Sequence, residues 1–103
     1  MYVTVTTTTT GGEPIENATV VAEEMERWLR ELDGFEGFVL LASEEKALGL
    51  AFWSSREVAE RYNVIRSQFR ERMLSIAGVQ IEDVSDYEVA FARLAPALAS
   101  GVG

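Results

Sequence analysis

Two apolar segments near the middle of the chain, residues 38–42 and 47–53, lack the alternation of a half-solvated strand. Both are short and the polar residues 43–46 separate them, so they predict the two strands of one β-hairpin. Successive side chains of a strand point to opposite sides, so a strand with one solvated face carries a polar residue at every second position. Neither segment does. We therefore expect protein to cover both faces of this hairpin.

A strand and a helix are predicted before the hairpin. The mostly β-branched residues 2–6 predict a first strand, and residues 7–12, four threonines and two glycines, predict its exit into a loop. Helical spacing of apolar residues within 16–32 predicts a helix, with Asn17 as its cap and the Asp-Gly pair at 33–34 as its stop. The apolar positions of this helix are Val21, Met25, Trp28, Leu29 and Leu32.

A second predicted helix carries the strongest periodic signal in the chain. Ser54 and Glu57 have the spacing of a capping box, in which the serine accepts a backbone N–H and the glutamate reaches back. The helix is predicted to begin there, to run to about Ala77 and to end at Gly78. Its apolar stripe consists of Val58, Tyr62, Ile65, Phe69, Met73 and Ile76.

A last strand and a tail follow. Residues 79–81 and 87–91 predict the strand, with a bulge, bend or break at 83–86, where the alternation slips. Residues 95–103 are small and predict a flexible C-terminal tail, which leaves residues 1–94 as a single domain. The predicted class is therefore α+β with the ferredoxin-like order βαββαβ: a four-stranded antiparallel sheet with two helices on one face.

The other face of this sheet needs a cover, because the two helices occupy only one side. At about 25 cal/mol per Å² of apolar surface, leaving that face in water would forfeit several kcal/mol. Two sheets packed face to face around a twofold axis would bury it, so we predict a homodimer through the open sheet face. By alternation the partner side would present Leu48, Leu50 and Phe52, and the helix side Ala47, Gly49, Ala51 and Trp53.

Composition narrows the chemistry. The 103 residues carry a formal net charge of −8, which disfavours nucleic acid and anionic membranes as partners. No basic and apolar leader begins the chain, so we expect a cytoplasmic protein. Histidine and cysteine are absent, which excludes disulfides, thiolate metal sites, histidine-ligated haem and the usual hydrolase triads. Proton chemistry would fall to carboxylates, tyrosine or the substrate itself.

The small-residue side of the third strand offers a candidate site. The space above it is either a pocket beside Trp53 or a core filled by large helix side chains such as Trp28 and Phe69. Trp53 is accordingly either a core anchor or a ligand contact. Arg66 lies beside the second helix's apolar stripe, one turn after Tyr62. It either pairs with an acid from the last strand or from a partner, or clamps an enolate, phenolate or carboxylate.

Three segments together carry a family resemblance. Residues 34–41, 50–60 and 87–90 resemble the antibiotic biosynthesis monooxygenase family of dimeric α/β barrels, over roughly residues 2–92. The most specific segment is 52–57, Phe-Trp-Ser-Ser-Arg-Glu. The resemblance implies a dimeric α/β barrel and a cofactor-independent monooxygenase acting on an aromatic or quinol-type small molecule.

Two departures from that family bear on activity. Haem-degrading members use a histidine as iron ligand, and this chain has none. Oxygenase members often carry an asparagine upstream of the tryptophan, where residues 47–51 are Ala-Leu-Gly-Leu-Ala. The alternative function is a non-catalytic dimer that binds a small ligand or acts under stress. In either case we expect no cofactor or metal, and the candidate ligand contacts are Trp28, Trp53, Tyr62, Arg66 and Phe69.

Overall fold

The computed structural model describes residues 1–9, 15–43, 45–68, 71 and 80–96, and the structural statements below concern these residues. Their elements are β1 Tyr2–Thr9, α1 Ile15–Leu29, β2 Phe35–Ala42, β3 Lys46–Trp53, α2 Arg56–Arg61 and β4 Gln80–Glu88. Residues 63–68 are helical again after a turn at Tyr62. The predicted βαββαβ order is confirmed.

All four strands join one antiparallel sheet in the order β2-β3-β1-β4, so β1 and β3 are its central strands. β1 pairs with both neighbours as far as Thr9. The prediction that the threonine tract leaves the strand at residue 7 was therefore wrong for residues 7–9. Threonine is β-branched, and pairing on both sides favours a continued strand over a loop. Residues 10–12 lie outside the described residues.

The ends of α1 and the course of β4 differ from the sequence prediction. α1 begins at Ile15, so Asn17 lies inside the helix rather than at its cap, and the helix ends at Leu29 in a tight turn. β4 is one continuous strand rather than two segments. A bulge, bend or break was predicted at residues 83–86, but the shift in register lies at residue 82, since Thr7 pairs with Asp83 and Thr8 pairs with Ile81. Glu82 is the extra residue of this bulge, which re-aims the strand without ending it.

The second helix is capped and interrupted in ways that the periodic pattern did not show. Ser55, not Ser54, is the cap, and its hydroxyl accepts the N–H of Val58 at 3.2 Å. α2 ends in a turn at Tyr62, and the hydrogen bond from the Arg66 N–H to the Tyr62 oxygen at 2.8 Å continues the helical direction into residues 63–68. Arg66, beside the predicted stripe, is buried at 7% exposure, whereas Ile65 of the stripe is 37% exposed. The remaining positions of the predicted stripe and its stop lie outside the described residues: Phe69, Met73, Ile76 and Gly78.

The core lies between the sheet and the helices, on the side predicted from alternation in β3. Trp53 is completely buried there, in a cluster with Leu29, Ala51, Val58 and Ala59. On the opposite side of the sheet, large apolar side chains remain exposed, namely Val39, Leu41 and Tyr87. Across the described ranges, no helix has both the length and the apolar character needed to cross a membrane.

Gly34 connects α1 to β2 in a conformation that only glycine adopts easily. Its φ is +93°, and a Cβ atom there would lie 2.7 Å from Val58 Cγ1. Gly34→Ala is therefore expected to lower the free energy of unfolding by about 1–3 kcal/mol in urea denaturation. Gly37→Ala is the matched control, because Gly37 also has a positive φ but a Cβ there meets no atom within 4 Å. If the two variants lost the same free energy of unfolding, the clash with Val58 would contribute nothing to the effect of Gly34→Ala.

Candidate functional site

Strand register aligns side chains in rows on the helix side of the sheet. Directly opposite residues of an antiparallel sheet share a face, so each row crosses the four strands. One row consists of Phe38, Ala51, Thr4 and Asp86. The neighbouring row consists of Phe35, Trp53, Tyr2 and Glu88. The two rows form the floor beneath α2 and the helical residues 63–68.

Trp53 is the centre of an aromatic cluster on this floor. Its ring packs edge-on against Phe35, with centroids 5.6 Å apart, and lies tilted against Tyr62 at 6.0 Å. Both separations are typical of favourable aromatic pairs. The indole N–H of Trp53 is fully buried and has no hydrogen-bond partner among the described residues. Buried donors are rarely left unpaired in folded proteins, so this N–H is the exceptional feature of the cluster.

Arg66 places a buried guanidinium beside Trp53. The guanidinium carbon lies 5.3 Å from the centre of the indole ring, within the range of a cation–π contact. Nη2 donates to the backbone oxygen of Ala59 at 2.7 Å and reaches Asn63 Oδ1 at 3.5 Å, while Nη1 donates to the Thr4 hydroxyl. Arg66 lies one helical turn after Tyr62, to whose backbone oxygen its N–H donates at 2.8 Å, and therefore on the same side of the helix, toward the sheet.

Thr4 links this arginine to an acid on the edge strand. Its hydroxyl accepts from Arg66 and donates to Asp86 Oδ1 at 2.8 Å. Arg66 Nη1 lies 3.9 Å from the same carboxylate oxygen, so the predicted ion pair with an acid of the last strand is present. Thr4 is buried, whereas the Asp86 side chain is 43% exposed. The counter-charge of the buried cation therefore sits at the margin of the core and is partly hydrated.

The structure brings together three of the five predicted contacts, Trp53, Tyr62 and Arg66. Trp28 is partly buried against the same core cluster. Phe69 lies outside the described residues. Thr4 was missed, and Asp86 was anticipated only as an unnamed acid of the last strand, because only the pairing of β1 with β4 places the two next to each other. The one signal available was alternation, which sets Thr4 on the same face as Tyr2.

Two further features lie outside this cluster. A mainly apolar pocket of about 270 Å³ occupies the opposite end of the hairpin, lined by Leu41, Ala42, Ser43, Lys46 and Leu48. On the exposed surface of α2, Glu60 accepts a hydrogen bond from Arg56 at 2.9 Å, which raises the pKa of that guanidinium. Within the described ranges, no group of three or more acidic, histidine or cysteine side chains is arranged to hold a metal ion.

Comparison with known proteins supports the fold rather than a detailed assignment. No protein-family model and no curated protein matches the chain. Among solved structures, a protein assigned as an antibiotic biosynthesis monooxygenase from Deinococcus radiodurans is 15% identical with a TM-score of 0.66, over 92% of this chain and 98% of that one. The cofactor-independent oxygenase SnoaB from Streptomyces nogalater is 17% identical with a TM-score of 0.65, over 92% and 95%.

A further solved structure, the protein YjcS, is 12% identical with a TM-score of 0.59, over 85% of this chain and 96% of that one. All three cover nearly the whole of both chains, so the likeness concerns the complete βαββαβ unit. At these identities it concerns the fold alone. The chain therefore has the ferredoxin-like fold of the antibiotic biosynthesis monooxygenase-like proteins.

Proposed function

We propose that this protein is a cofactor-independent monooxygenase that acts on an aromatic or quinol-type small molecule held between the sheet and the helices. The observation that carries the proposal is the Trp53 indole N–H, which is fully buried and has no partner among the described residues. An oxygen atom of a bound ligand would supply that partner. The buried guanidinium 5.3 Å from the same ring adds positive charge where a substrate anion would form.

The proposed reaction needs no electron donor other than the substrate. A deprotonated aromatic substrate gives its electron pair to dioxygen, and one oxygen atom becomes a carbonyl while the other leaves as water. Arg66 stabilises the negative charge, and Trp53 and Tyr62 orient the aromatic ring. Trp28, which is partly buried against the same core cluster, adds to the apolar wall in this proposal. The fold shared with SnoaB supports it, because that protein is a cofactor-independent oxygenase.

Oxygen consumption tests this proposal. A panel of anthrones and hydroquinones is expected to include at least one compound that the protein converts well above the buffer rate to a product with a new carbonyl group, whose oxygen atom comes from dioxygen. Arg66→Lys is expected to lower kcat/KM about 100-fold, because lysine cannot keep the fork of contacts to Thr4 and Ala59. Arg61→Lys, on the exposed surface of α2, is the matched control and should leave kcat/KM unchanged.

Two results would contradict the proposal in different ways. No protein-dependent oxygen uptake across the whole panel would overturn the oxygenase function. If Arg66→Lys leaves oxygen uptake unchanged, the oxygenase function stands but Arg66 has no role in the reaction. Thermal unfolding of each variant separates lost activity from lost folding.

The proposed functional unit is a homodimer that closes the open face of the sheet. On that side Val39, Leu41 and Tyr87 are exposed, next to the half-buried Leu50 and Phe52 of the central strand β3. A patch of this kind on a small protein is typical of an interface. A second copy of the same sheet, packed around a twofold axis, would cover it with an equally apolar surface.

A non-catalytic dimer that binds a small ligand, or that acts under stress, is the second candidate. The observation that favours it is the internal pairing of Arg66, which already contacts Thr4, Ala59 and Asp86. Such a protein would respond to aromatic ligands through the fluorescence of its buried tryptophan but would consume no oxygen with any of them. The two measurements on one ligand panel therefore separate the two functions.

A further inference from the structure

We infer that Asp86 is the general base of the site: its carboxylate takes a proton from the substrate before dioxygen adds. This inference rests on the proposed oxygenase function. It assigns a role to the polar group of the cluster that is open to solvent, since the Asp86 side chain is 43% exposed whereas Arg66 and Thr4 are buried.

The composition of the chain leaves few proton acceptors. Histidine and cysteine are absent from the whole sequence, and Lys46 lies at the opposite end of the hairpin from Trp53, so the candidate bases near Trp53 are carboxylates and tyrosines. Carboxylates are generally ionised at neutral pH and phenols are not, which favours the acid. Asp86 is the carboxylate that approaches Arg66 among the described residues, and Tyr62 is the competing tyrosine because its ring packs against Trp53.

Hydrogen bonding orients Asp86 without saturating it. Oδ1 accepts from the Thr4 hydroxyl at 2.8 Å, which anchors that oxygen of the carboxylate. No hydrogen bond from a described residue reaches Oδ2, so one oxygen is held and the other is available to a substrate proton. Thr4 is itself fixed, because it is buried in the central strand and also accepts from Arg66.

The position of Asp86 suits the charge that proton removal creates. Arg66 Nη1 lies 3.9 Å from Asp86 Oδ1, and the same guanidinium lies 5.3 Å from the Trp53 ring. A substrate against the indole would thus present its acidic position to the base and its developing anion to the cation. β4 and β3 are two strands apart, about 10 Å, a separation that a fused-ring aromatic compound bridges.

The step balances as follows for a substrate with a CH₂ group next to an aromatic ketone. Asp86 takes one C–H proton, and the electron pair left on carbon adds to dioxygen, forming a C–O bond and a peroxide anion. Asp86 returns its proton to the terminal oxygen and becomes a carboxylate again. Loss of the second C–H proton with cleavage of the O–O bond gives the carbonyl, and the expelled hydroxide takes that proton to form water.

Deuterium exchange tests the base separately from oxygen chemistry. In D₂O without oxygen, the protein is expected to accelerate deuterium uptake at the CH₂ position of anthrone, followed by NMR. Asp86→Asn keeps an acceptor for Thr4 but is not a base, so it should lower the protein-dependent exchange rate about 100-fold. Asp83→Asn is the matched control: Asp83 is exposed on the same strand, its side chain pairs with Ser85, and the variant should exchange at the wild-type rate.

The outcomes separate this inference from the proposed function. Oxygen uptake and exchange that both persist in Asp86→Asn would overturn the base assignment alone, and loss of exchange in Tyr62→Phe but not in Asp86→Asn would overturn it in favour of Tyr62. Exchange without any oxygen uptake by the wild type would support the base and overturn the oxygenase. Asp86→Glu provides a second variant should Asp86→Asn not fold. A wild-type protein that exchanges deuterium into anthrone no faster than buffer does would contradict the assignment.

Discussion

Trp53→Ala is expected to lower the free energy of unfolding by about 3–5 kcal/mol, enough to leave much of the protein unfolded at room temperature. The side chain is completely buried and packs against Phe35, Tyr62 and the Arg66 guanidinium. Its removal would open a cavity and abolish the cation–π contact with the buried Arg66 guanidinium. Urea denaturation followed by circular dichroism measures the loss.

Trp28→Ala is the matched control for this variant, because Trp28 is only partly buried against the same core cluster. Its loss should be clearly smaller. Trp53→Phe should fall between the two, since a smaller ring keeps part of the packing and removes the unpaired N–H. Equal losses for Trp53→Ala and Trp28→Ala would contradict the view that Trp53 is the centre of the core.

Leu50→Glu is expected to convert the proposed dimer to a monomer, with a dissociation constant raised at least about 100-fold. Leu50 lies in the middle of β3, on the face that the helices leave open, and pairs with Val5 and Val39 on the neighbouring strands. In a single protomer the new carboxylate would remain hydrated, so the fold should persist. In a face-to-face dimer it would be buried against its own symmetry copy. Sedimentation velocity at micromolar concentration measures the change.

Val64→Glu serves as the matched control, because Val64 is exposed on the helical stretch 63–68 and lies away from the open sheet face. It should leave the sedimentation coefficient unchanged. A wild-type protein that sediments as a monomer at micromolar concentration would contradict the dimer directly. Dimers that survive Leu50→Glu would place the interface on another surface.

The contacts of Arg66 have a structural role, and the proposed function adds a chemical role to the same contacts. Burying a guanidinium is costly unless it is paired, and here Thr4, Ala59 and Asp86 together provide the partners. The same contacts hold the cation against Trp53. A ligand anion could take over the share of the pairing that the half-exposed Asp86 now provides, which is why a paired arginine is compatible with a binding site.

Much of the fold followed from sequence patterns. The hairpin without a polar face, the helical spacing of 16–32 and the order of elements predicted the ferredoxin-like sheet, and the structure confirms them. The predicted exit of the threonine tract at residue 7 was wrong, because strand pairing with β3 and β4 outweighs the loop character of a low-complexity segment. The predicted cap at Ser54 was wrong by one residue, since either serine has a backbone N–H three positions ahead.

The candidate site was predictable only in part. Trp53 and Tyr62 follow from alternation in a strand and from helical spacing, both of which are local. Helical spacing places both Ile65 and Arg66 near the side of Tyr62, and only the contacts with β1 show that Arg66 is the buried one of the two. Arginine is usually exposed, so its residue type gives no local signal of this burial.

By itself, then, the sequence determined the order of strands and helices, which side of β3 is small, and that proton chemistry must proceed without histidine or cysteine. These are properties of composition and of periods of two and 3.6 residues, which neighbouring positions specify. Only the tertiary structure decided that Thr4, Arg66 and Asp86 meet beside Trp53. Their contacts join residues up to 82 positions apart, and the register between β1 and β4 sets such a meeting, which no local pattern encodes.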